Sequence, residues 1–76
     1  MSDAADTMKP ETLEQVGEAL YGAMWRTALA QHLGINERTV RRWSAGTSPI
    51  PDGVGADVRK LVRDRISKLA SLAEKL

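Results

Sequence analysis

The sequence predicts an all-α domain of four helices, the last of them long. Three observations carry this. Apolar residues recur at intervals of three and four along most of the chain, the period of a helix. Glycines at 22, 34 and 46 interrupt that pattern where a helix C-terminus favours glycine. No alternating β-branched run is present, and there is no phenylalanine.

Leu13, Val16 and Leu20 set helix 1 at about residues 11–21. Thr12, with Gln15 three residues on, fits a capping box. Pro10 suits the approach to a helix start, and Gly22 ends the helix. Residues 1–9 are small and polar and carry no periodic apolar residue, so they read as a disordered acidic leader. Helix 2 begins near Trp25–Thr27, buries Leu29, Ala30 and Leu33, and stops at Gly34. Ile35 follows as an apolar plug. Asn36 is a good N-cap for helix 3, because its side-chain oxygen accepts from a free N–H of the first turn.

Helix 3 runs from residue 37 to Ser44 or Ala45, with Val40 and Trp43 facing inward beside Ile35. Residues 47–51 form a loop, since two prolines bracket Ile50, and Ile50 anchors that loop to the core. Helix 4 covers about 52–76. Its stripe is Val54, Val58, Leu61, Val62, Ile66, Leu69, Leu72, Ala73 and Leu76. The folded domain is therefore 10–76, with a two-helix unit at about 25–46 in its middle.

A chain of 76 residues is near the lower limit for a single core. It has no cysteine, so no disulfide and no cysteine-held zinc staples it. No apolar run approaches the ~20 residues of a membrane span, and the first residues lack the apolar stretch of a signal peptide. A cytoplasmic protein without membrane contact is expected. The net charge of +1 conceals a division: residues 1–22 carry −4, residues 23–51 carry +3 and residues 52–76 carry +2. A basic body behind an acidic leader fits either a polyanion-binding surface or an ordinary solvated one.

The arginines of helix 3 favour the first. Arg38 and Arg42 are four apart, on one helix face, with Arg41 beside them. Like charges at that spacing destabilise a helix by roughly 0.2–0.5 kcal/mol, so packing alone gives no reason for them. Two short helices around Gly34 with a cationic second helix have the layout of a helix-turn-helix, which lays one helix in the major groove of double-stranded DNA. The arginine fork donates two bonds to guanine O6 and N7. Glu37 either accepts from a cytosine amino group or orients Arg41. Arg26, Asn36, Thr39, Arg41, Thr47 and Ser48 suit phosphate contacts, which fix register without reading sequence.

Residues 13–66 resemble the lambda-repressor-like (Cro/CI-type) DNA-binding domains of small bacterial and phage regulators. The resemblance is carried by Leu20-Tyr21-Gly22, Trp25, Leu29-Ala30, Leu33-Gly34-Ile35, Arg38 to Trp43, Gly46 and Pro49-Ile50-Pro51. It implies base contacts by Glu37, Arg38 and Arg42, phosphate contacts by Arg26 and the loop after helix 3, and a homodimer on an operator with two half-sites. It also implies transcriptional regulation, most simply repression. The chain departs from the usual five-helix form in having one long helix in place of the fourth and fifth.

Other features point elsewhere or nowhere. His32, the one histidine, has no partners for metal binding or catalysis, and no nucleophile–base pair or phosphate-binding glycine loop is visible. No cofactor and no enzymatic activity are expected. Trp25 and Trp43 could stack on bases, but their spacing with Leu29, Leu33 and Val40 fits core packing. Ile66, Leu69, Ala73 and Leu76 have coiled-coil spacing. That stripe either mediates dimerisation or packs back on helix 1. The alternative function is an antitoxin or other interaction module whose C-terminal helix binds a partner protein.

Overall fold

The computed structural model describes residues 8–76. All regular structure among them is helical, with no strand. The order is α1 (Pro10–Tyr21), a 3-10 turn (Gly22–Met24), α2 (Trp25–Leu33), α3 (Glu37–Ala45) and α4 (Asp52–Glu74). Of the leader expected over 1–9, residues 1–7 lie outside the described residues. Met8 packs half-buried against the core and Lys9 caps α1.

α1 starts one residue before the expected position, and the capping box of Thr12 and Gln15 does not form; no side chain caps this end. The cause is Pro10 at the first helical position. Its fixed φ suits that place and it has no N–H to satisfy. Lys9 before it is held extended at φ −86°, ψ 152°, as a residue preceding proline prefers. The 3-10 turn at 22–24 was not anticipated either.

α1, α2 and α3 pack around one core of Leu13, Trp25, Leu29, Ala30, Val40 and Trp43, closed by Ile50 and Val58. Both tryptophans are buried, as their spacing suggests, and Ile50 pins the loop. α1 meets α2 at Gly17, which is buried against the Trp25 indole; a Cβ there would run into the ring. Ile35 is a correction. It was expected to plug the core beside Val40 and Trp43, but it is 36% exposed. Its backbone takes precedence: the Ile35 N–H donates to the Ala30 carbonyl at 3.0 Å and the Gly34 N–H to Gln31 at 3.2 Å. This pair of bonds closes α2 with Gly34 at φ 72° and leaves the Ile35 side chain at the rim.

α4 lies against α1. Val54, Val58 and Leu61 turn inward, and Arg65 Nη1 donates to the Leu20 carbonyl at 2.8 Å while its guanidinium lies 5.8 Å from the Tyr21 ring centroid. That bond satisfies a free carbonyl in the last turn of α1, which has no basic residue of its own. Beyond Arg65 every residue of α4 is exposed. The stripe therefore packs back on the body only in its first half.

Candidate nucleic-acid interface

α3 is fixed at both ends and along its inner side. The Asn36 side chain accepts from the Arg38 N–H at 2.8 Å, the N-cap bond expected from the sequence. At the other end Gly46 takes φ 80°. The Gly46 N–H donates to Trp43 and the Thr47 N–H to Arg42, and the Thr47 hydroxyl adds a second bond to the same Arg42 carbonyl at 3.2 Å. Between these caps, Val40 and Trp43 are buried.

The side facing solvent is what this clamping leaves free. Arg38, Arg41, Arg42 and Ala45 are exposed. Arg38 and Arg42, four residues apart, stand at neighbouring positions on the helix surface. Neither guanidinium has an intramolecular partner among the described residues. Ala45, one turn beyond Arg41 and Arg42, keeps the end of that face low. Sequence reasoning did not single it out, though its spacing of seven from Arg38 places it on the same face.

Arg41 and Glu37 behave differently. Arg41 donates twice to one Glu37 oxygen, at 3.0 Å from Nε and 2.6 Å from Nη2. Hydrogen bonds from Arg41, and then from Thr27 on α2, hold the Glu37 carboxyl below the usual glutamate range. Of the two roles open to Glu37, the geometry within this chain is that of orienting Arg41.

Arg26 sits at the start of α2, its guanidinium 4.6 Å from the Trp25 ring centroid and its Nε donating to Ser44 Oγ at 3.2 Å. Ser44 in turn donates to the Arg41 carbonyl at 3.1 Å, so this serine ties the Arg26 side chain to α3. It was missed at the sequence level, where the only signal was a polar residue next to the inward Trp43. Arg26, Arg41, Thr27 and Glu37 line one cleft of about 160 Å³. Two guanidiniums around one carboxylate can receive a phosphate on the side the carboxylate leaves open.

The remaining expected contacts are spread around α3. Asn36 is exposed, with its oxygen committed to the cap and its NH2 free. Thr39 and Ser48 are half-buried at the edge of the face. Thr47 is exposed, and its N–H and hydroxyl both donate to the Arg42 carbonyl. Ile66, Leu69 and Ala73 are exposed on α4, and Leu76 is exposed just past its end.

Among the described residues no group of three or more histidine, cysteine, aspartate or glutamate side chains could hold a metal ion. No helix among them is long and apolar enough to cross a membrane. Comparison with family models, with curated proteins and with solved structures finds no match to this chain.

Proposed function

We propose that this chain is a sequence-specific double-stranded DNA-binding protein and a regulator of transcription. In this reading α2 and α3 form a helix-turn-helix within a four-helix, lambda-repressor-like domain, and α3 enters the major groove. Arg38 and Arg42 meet base edges. Arg26, Arg41 and the Asn36 amide hold phosphates, with Thr39 and Ser48 beside them. Glu37 sets the direction of Arg41.

The observation that carries the reading is the pair of unpartnered guanidiniums, Arg38 and Arg42, on the outer side of a helix capped at both ends. Nine residues of helix are about 13 Å long, and the major groove, about 12 Å wide, admits a helix. The caps fix the backbone from which the two side chains project, and the planar arginine fork loses less freedom per hydrogen bond formed than a lysine does.

The test is selection of bound sequences from a random duplex pool at roughly 0.1–0.2 M salt, where charge alone binds weakly, followed by footprinting on DNA upstream of the chain's own gene. A recovered consensus that Arg38→Ala degrades at one position supports the reading; a pool that never converges removes it. The exposed apolar end of α4 favours a second reading, a protein-interaction module such as an antitoxin. Co-purification with a neighbouring gene's product, without any DNA preference, would distinguish it.

A further inference from the structure

The end of α4 has no host among the described residues. Val58 is buried, and the stripe it belongs to continues outward with Ile66 62%, Leu69 56% and Leu72 46% exposed. Beside this tail runs a groove of about 330 Å³ between α1 and α4, lined by Val16, Ala19 and Leu20 on one wall and Val62, Ile66 and Leu69 on the other. An apolar helix face without a groove adjoins an apolar groove without an occupant.

We propose that a second copy of this chain satisfies both. The two α4 helices cross antiparallel near Leu69, and the tail of each copy lies in the α1/α4 groove of the other. The inference deepens the DNA-binding reading by supplying the partner that sets two α3 helices on one duplex. The surface is self-complementary, as a two-fold interface must be. The lengths are compatible: residues 69–74, the last of α4, span about 8 Å of helix and fit within the roughly 11 Å of the 62–69 wall. A parallel pairing would cover the tails but leave both grooves open.

Charge favours the same occupant. Lys68 and Lys75 flank Leu72 at helical spacing, i−4 and i+3. In the antiparallel arrangement that flank faces the partner's α1. The exposed side of α1 carries Glu11, Glu14 and Glu18, which have no ion-pair partner among the described residues.

Sedimentation equilibrium of the full chain without DNA tests this. The wild type is expected to be a dimer. Leu69→Glu with Leu76→Glu, both at exposed positions, should weaken self-association at least about tenfold with helicity unchanged by circular dichroism. Ala19→Glu, on the opposite wall of the groove, should do the same. The chain has no native cysteine, so chains carrying Ala19→Cys mixed with chains carrying Leu72→Cys should form the mixed disulfide. A wild type that stays monomeric overturns the proposal and leaves the tail to a different protein. A dimer indifferent to Ala19→Glu, or one in which Leu76→Cys chains link to each other in preference to the mixed pair, overturns the groove arrangement. Arg38→Ala with Arg42→Ala should remain dimeric, so failure of the DNA reading and failure of this one are separately visible.

Discussion

The outer face of α3 and the tail of α4 are both exposed helix surfaces, and they differ in what exposure costs. On α3 the exposed groups are guanidiniums, which water solvates well. The helix beneath them is capped at both ends and packed through Val40 and Trp43. On the tail the exposed groups are Ile66, Leu69 and Leu72, which water solvates poorly. Nothing among the described residues buries them. The first surface is the one the proposed polyanion contact uses; the second is the one the proposed dimer covers. One is rigid because the body holds it, and the other is held only as far as Arg65 and its bond to Leu20.

The same substitution on the two sides should separate them most. Leu29→Ala removes a side chain that is 1% exposed at the centre of the core and should cost about 2–5 kcal/mol, read as the shift of a urea midpoint. Leu69→Ala should leave protomer stability within about 0.5 kcal/mol at dilutions where copies are separate. Its effect should appear instead as a weaker dependence of Tm on concentration. Equal losses at the two sites would mean that the tail is part of the core.

Gly17→Ala comes next. The added Cβ meets the Trp25 ring, and overpacking of this kind typically costs about 1–3 kcal/mol. Because the ring lies under the Arg26 guanidinium, the displacement should also loosen the bond from Arg26 to Ser44 on α3. Fluorescence of Trp25 and Trp43 together during urea unfolding reads the stability loss. An unchanged midpoint would show that α1 and α2 separate at little cost.

On the DNA side, Arg38→Ala should lower discrimination at one base position by about 1–3 kcal/mol. Arg26→Ala should weaken all duplexes alike and reduce the salt slope by about one. Competition binding across single-base variants of a selected site, repeated at several salt concentrations, measures both. If the two substitutions gave the same pattern, α3 would contact backbone only.

Much of this was legible in the sequence where the signals are local. Gly34, Gly46 and Asn36 act on backbone a few residues away, so type and spacing sufficed. Glu37 and Arg41 are i,i+4, and their pairing followed from spacing alone. The contacts that escaped are those between elements. Arg26 reaches Ser44 across 18 residues and Arg65 reaches Leu20 across 45; no periodicity announces either. Gly17 carries no signal within helix 1 itself; its place is explained only by the Trp25 ring packed against it. The α4 stripe was readable in full, but its period is the same in the covered and uncovered halves, so periodicity could not show where the body ends. Ile35 was misassigned because apolar character was given more weight than the cap geometry that fixes its backbone.

The smallest expected effect sharpens the α3 surface itself. Glu37 shares a cleft with Arg26 and Arg41 and neutralises the latter. Glu37→Gln removes the carboxylate while keeping its shape. Arg41 is then free for a phosphate, and affinity for unrelated duplex should rise roughly two- to fourfold, with a steeper salt slope. In the wild type, protonation of Glu37 should have the same effect. The carboxyl is held below the usual glutamate range by Arg41 and Thr27, so the pair is intact above the ordinary glutamate pKa. It is lost only as pH falls through the lower folded value. Binding of unrelated duplex by the wild type should therefore strengthen in that acid window, and Glu37→Gln, in which the other carboxylates still take up protons, should show a smaller response. If the variant binds unrelated duplex no better than the wild type and with the same slope, then Arg41 reaches phosphate despite its carboxylate, and Glu37 aims it without holding it back.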